Sequence, residues 1–83
     1  MDVVTTIRRP PTVLSADPLV RAAMLRARIG TNVRLTSGDF SLDGLLVTVV
    51  APAMHSENPA PVVVIDTGME RVAGPVLAGD ILA

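Results

Sequence analysis

The chain has 83 residues, a formal net charge of −1 and a mean hydropathy of +0.53, which makes it one domain near the size where a lone hydrophobic core is marginal. With no cysteine it has no disulfide and no thiolate metal site, and with one Phe and no Tyr or Trp its core must come from Val, Leu, Ile, Ala and Met. The charge is uneven. Residues 1–41 hold six Arg against Asp2, Asp17 and Asp39, giving +3, while residues 42–83 hold Arg71 against Asp43, Glu57, Asp66, Glu70 and Asp80, giving −4. Such an asymmetry can steer like subunits head to tail.

Met1 to Ile7 is β-prone, and the R-R-P-P that follows forces an extended passage. Residues 1–16 therefore read as an extended N-terminal arm, with Val3, Val4, Ile7, Arg8 and Arg9 as candidates for contact with a neighbouring subunit. A frayed tail is the alternative. No apolar segment follows a basic start, so no signal peptide is read. The longest apolar run, Leu45 to Met54 broken by Thr48 and Pro52, is too short to span a bilayer.

Residues 17–83 read as a single helix-plus-β domain. Asp17 followed by Pro18 is a helix start: the carboxylate accepts from first-turn N–H groups, and proline at the first helical position has no N–H to leave unpaired. Gly30 is the stop, with Arg26 and Arg28 in the last turn opposing the dipole. At 100° per residue, Leu19, Val20, Ala23, Met24 and Ala27 form one apolar stripe, and Ala22, Leu25 and Ile29 form a second. Arg21 and Arg28 divide them on one side and Arg26 on the other. A surface helix of a monomer needs one stripe. Either both pack in one core, or the second faces another subunit, which makes Leu25 and Ile29 interface candidates.

Asn32 to Thr36 alternates as a half-buried strand, Ser37-Gly38-Asp39 is a turn, and Phe40 to Ala51 is a long strand with a bulge expected at Asp43-Gly44. Pro52 to Pro61 is a loop. Val62 to Asp66 is a buried strand ending in the Thr67-Gly68 turn, Met69 to Gly74 is irregular or a short helical turn, and Val76 to Leu82 is a last strand interrupted at Gly79-Asp80. Met54 and Met69 complete the set of interface candidates. One helix and four or five short strands predict a mainly β fold, a small partly open barrel of SH3-, Sm- or OB-like size.

The chemistry-bearing motifs are weak. Asp66-Thr67-Gly68 behind V-V-V-I imitates an aspartic-protease loop, and V-L-A-G-D-I-L imitates the segment behind it. About a dozen residues between the two leave no room for the intervening sheet, and Met69 stands where a small residue is needed. His55-Ser56-Glu57 puts three catalytic residue types side by side, but sequence neighbours do not face one another as a triad requires. A metal site from His55, Glu57 and Asp66 has only one His behind it. The six glycines form no phosphate-binding loop. No catalytic, cofactor-binding or metal residue is therefore assigned, and an enzyme is not expected.

Two resemblances remain. The helix-then-barrel order, with V-R-L-T-S-G and later V-L-A-G-D-I-L, resembles the two halves of an Sm-like RNA-binding fold. The missing Lys, the single aromatic and the net negative charge speak against nucleic acid. A closer likeness joins Ile29-Gly30, Thr36-Ser37-Gly38, Pro61 to Thr67 and Gly79-Asp80: over residues 18–82 their order resembles the head–tail joining (connector) proteins of lambda-type tailed phages. Members of that family usually continue past G-D with a further strand pair, whereas this sequence runs three residues further, so the arm or a neighbour is expected to complete the barrel. The resemblance implies a ring-forming structural subunit without turnover or cofactor. Its partners would be copies of itself and other virion or assembly proteins, with no membrane. Its place would be the virion for a phage-derived chain and the cytoplasm otherwise. An Sm-like RNA-binding ring protein is the alternative.

Overall fold

The structure, a computed structural model, describes residues 10–83. The arm candidates Val3, Val4, Ile7, Arg8 and Arg9 lie outside the described residues. Six antiparallel strands and one helix follow in the order β1 (Thr12–Val13), α1 (Pro18–Arg26), β2 (Asn32–Ser37), β3 (Phe40–Val50), β4 (Val62–Asp66), β5 (Arg71–Pro75) and β6 (Ile81–Leu82). They form one sheet of order β1-β6-β2-β3-β4-β5. β1 and β5 do not pair, so the sheet is not closed. The expected mainly β, partly open architecture is what the chain adopts.

The helix start follows its sequence signal. Asp17 Oδ1 accepts from the N–H groups of Leu19 (2.9 Å) and Val20 (3.3 Å), satisfying two donors that a helix terminus leaves free. The helix ends at Arg26, four residues before Gly30. Its last turn tightens, with Arg28 N–H donating to Leu25 O and Ile29 N–H to Arg26 O. Gly30, at φ 86°, then aims its N–H at Leu46 O (2.8 Å) on β3.

Of the two helix stripes, the Ala22–Leu25 one is the core face. Leu25 is 1% exposed and packs with Leu14, Val33, Leu46, Val63, Ile65, Val76 and Leu82, while Leu19 and Val20 of the other stripe are exposed. Leu25 is thus a core residue and has no surface to offer a partner. Residues 12–16 also belong to the domain, because β1 pairs with β6 and Leu14 enters the core.

Three further expectations need correction. Asp43 and Gly44 sit in regular register opposite Arg34 and Val33, and the irregularity in β3 falls between Leu46 and Thr48, where β4 advances one residue from Ile65 to Val64. Gly44 answers a different demand: a Cβ there would meet Ile65 Cγ2 at 2.7 Å and the backbone of Asp66. Residues 71–75 form β5, paired with β4 throughout. Their Gly74-Pro75 reads locally as a breaker, yet Pro75 is tolerated at the end of an edge strand. The expected last strand shrinks to Ile81–Leu82, because Leu77 to Asp80 is a turn with Gly79 at φ 84°. Asp80 Oδ2 closes it by accepting from Leu77 N–H at 2.8 Å.

Candidate functional site

The open side of the sheet is a groove of about 380 Å³. The β2–β3 hairpin supplies Leu35, Phe40 and Leu42, β5 supplies Val72, and the following turn supplies Leu77 and Asp80. The hairpin takes this shape because Ser37 faces Phe40 across a two-residue turn in which Gly38 holds φ 59°, a conformation that favours glycine. The walls are apolar except chiefly for Ser37 and Asp80. Asp80 is 6% exposed and is anchored from both sides, since its carbonyl also accepts Leu14 N–H at 2.8 Å.

One wall of the groove is a sheet edge. Thr67 N–H donates to Glu70 O (3.0 Å) and Val76 N–H donates to Pro61 O (2.9 Å), bracketing the β4–β5 ladder. Antiparallel pairs alternate between bonded and non-bonded. With the register Val62 to Pro75 through Asp66 to Arg71, Val72 and Gly74 therefore bond inward to β4, and Arg71, Ala73 and Pro75 turn their backbone groups outward. The missing N–H of Pro75 falls on the outer side, where no ladder bond is lost.

Behind the groove, Arg21 is buried at 3% exposure. Its Nε donates to Val76 O (2.9 Å), Nη1 to Ser15 O (2.7 Å) and Ala16 O (3.2 Å), and Nη2 to Pro59 O (3.4 Å). The guanidinium therefore clasps the pre-helix segment, the 51–61 loop and the end of β5 together. Helical periodicity places Arg21 between two apolar stripes, as solvated charges often lie. Only the fold shows that three carbonyl-rich segments converge on it.

The remaining sequence candidates are dispersed. Ile29 is 43% exposed just after the helix, Met54 is exposed on the 51–61 loop, and Met69 stands 95% exposed on the β4–β5 turn; loop and turn lie at opposite ends of β4. Asp66-Thr67-Gly68 is that turn, with Asp66 Oδ1 accepting Gly68 N–H at 2.8 Å. His55, Ser56 and Glu57 are exposed on the loop. Among the described residues no three His, Cys, Asp or Glu side chains are placed to hold a metal ion, and no helix is long and apolar enough to cross a membrane. The groove residues Leu35, Phe40, Leu42, Val72 and Leu77 were not singled out by sequence. The usable signals were the alternation through Val33 and Leu35 and the lone aromatic at position 40.

Arg34 and Asp43 face each other across β2 and β3 as an exposed two-pronged pair, Nε to Oδ1 at 2.7 Å and Nη2 to Oδ2 at 3.0 Å. The hydrogen bond from Arg34 holds the Asp43 carboxyl below its ordinary pKa, and the same contact raises Arg34. No family model, curated protein or solved structure matches the chain.

Proposed function

We propose that this chain is a non-enzymatic structural subunit that assembles with copies of itself, and that a phage virion, at the head–tail connector, is the setting its motif order points to. The observation that carries the assembly reading is the outward-facing backbone of β5 beside an apolar groove. An uncovered edge next to apolar surface is a template for another chain. Exposed Phe40, Leu77 and Met69 add to the apolar surface.

The Sm-like alternative keeps the placing of the helix before β2 to β6 on its side. Phosphate binding needs available cations. Arg21 is spent inside the fold and Arg34 is engaged by Asp43, which weighs against it.

Light scattering after size exclusion, at micromolar concentration and moderate salt, tests the assembly reading. The expected result is a defined mass well above 8.6 kDa, with closed rings in negative-stain micrographs. A stable 8.6 kDa species that also fails to enter any particle overturns it.

A further inference from the structure

We infer that residues 3–7 of one copy add as a strand to the outer edge of β5 in a second copy, filling its groove with their apolar side chains. This rests on the assembly reading and names its contact. The edge offers the N–H groups of Arg71 and Ala73 and the carbonyls of Arg71, Ala73 and Pro75, as the bracketing bonds and the register require. β5 is five residues long, and so is Val3-Val4-Thr5-Thr6-Ile7, in which every residue is β-branched and suited to a strand.

Chain direction points to another copy rather than the same one. Thr12 lies opposite Leu82, which lies opposite Leu35, and β1 runs from there towards Leu14, beside Asp80. Ser37, Phe40, Leu77 and Asp80 of the groove are at that forward end. Followed backwards from Thr12, the chain leaves at the opposite end, past Arg34 and Ala83, which bond each other at 2.9 Å. Pro10 and Pro11 fix φ where the described residues begin, and Pro11 keeps Pro10 extended. The nine residues before Pro10 can span at most roughly 30 Å, enough to reach a neighbour.

Charge agrees. Residues 1–9 carry Arg8 and Arg9 against Asp2, giving +1. Residues 10–83 carry five Arg against five Asp and two Glu, giving −2, with Asp80 in the groove itself. When each copy gives its arm to one neighbour and receives one from another, the contact is head-to-tail and closes into a ring when the rotation allows.

Two full-length variants test it by light scattering. Thr5→Pro breaks the donated strand, and Ala73→Pro removes an outward donor at a position equivalent to that of Pro75. Each is expected to fall to 8.6 kDa with an unchanged circular dichroism spectrum. A mixture of the two should stop at pairs, since one supplies a free edge and the other an intact arm. Hydrogen exchange gives an independent readout: the Ala73 amide should exchange at least about tenfold more slowly in the wild-type assembly than in Thr5→Pro. If Thr5→Pro keeps the wild-type mass, or the Ala73 amide exchanges equally fast in both, the arm contact is overturned while assembly stands. A monomeric wild type overturns both.

Discussion

Arg21 Nε donates to the carbonyl of Val76 across 2.9 Å, although 55 residues separate the two in sequence. Val76 is itself fully buried, so this bond ties the helix to the end of β5 inside the core.

Removing that guanidinium leaves the buried carbonyl of Val76 short of a donor, along with the partly buried bonds to Ser15, Ala16 and Pro59. Arg21→Met is expected to destabilise by about 2–4 kcal/mol, the range for a buried charged hydrogen-bonding group taken from its partners. Arg21→Lys should recover only part, because one ammonium cannot reproduce the planar fork. Urea unfolding followed by circular dichroism measures both. A Met variant within the error of wild type would show that the clasp contributes nothing.

Two glycines of the sheet should behave oppositely. At Gly44 a Cβ would press on the Asp66 backbone and on Ile65 Cγ2, so Gly44→Ala is expected to lose about 1–3 kcal/mol through overpacking. At Gly74 a Cβ would meet nothing within 4 Å and the backbone needs no positive φ. Gly74→Ala should be neutral or gain up to about 1 kcal/mol, since alanine restricts the unfolded chain. The same unfolding series decides it, and equal losses at the two sites would contradict the close approach of β3 to β4.

The Arg34–Asp43 pair sets a pH dependence with a definite sign. The folded-state pKa of Asp43 is lowered, chiefly by the Arg34 hydrogen bond. Its contribution is therefore present above the unfolded carboxylate pKa of about 3.9 and is lost as pH falls through the lower folded value. The pair is exposed, so the effect is small and weakens with salt. Wild type should exceed Asp43→Asn in stability at pH 6 in low salt, and the difference should shrink towards pH 2. A difference independent of pH would mean the pair contributes by packing alone.

The legible parts of this fold were those with local chemistry. Asp17-Pro18 fixed the helix start, Gly38 marked the β2–β3 turn, and the proline-rich 52–61 segment marked the loop. What escaped depended on distant neighbours. Arg21 looks like any solvated helix charge until Val76, Ser15 and Pro59 are brought around it. β5 hid because Gly74-Pro75 reads as a break unless the strand is known to be an edge. The irregularity in β3 lies at Val47, a residue with no turn signal, while Gly44 suggested one and instead serves a close approach. Choosing between the helix stripes also needed the sheet, since either could have faced it. Of the groove, Ser37, Val63 and Asp80 fall within the sequence motifs, for their place in those motifs rather than for the cavity they border.

Nucleic-acid binding is expected to be absent. Oligo-U or oligo-A should show no salt-sensitive binding below about 10 μM, the tight end of ordinary non-specific affinity. Arg34→Ala should change nothing, because Arg34 is already held by Asp43. Fluorescence anisotropy at two salt concentrations checks this. Tight binding that falls steeply with salt and disappears in Arg34→Ala would put the Sm-like reading first.

Leu25 and Ile29 of the core-side helix stripe should separate cleanly under the same substitution. Leu25 is 1% exposed among core side chains, whereas Ile29 is 43% exposed beyond the helix end. Leu25→Glu removes a buried apolar group and puts an unpaired carboxylate in its place, a loss of about 3–5 kcal/mol. That is most of what a domain this small holds, so the cooperative unfolding transition should be lost or shifted far down at neutral pH. Ile29→Glu should stay within about 0.5 kcal/mol of wild type in unfolding. If the exposed end of the helix also meets a neighbour, Ile29→Glu should lower the assembled mass while its circular dichroism spectrum is retained. A Leu25→Glu protein that unfolds like wild type would mean this helix does not pack on its Ala22–Leu25 face.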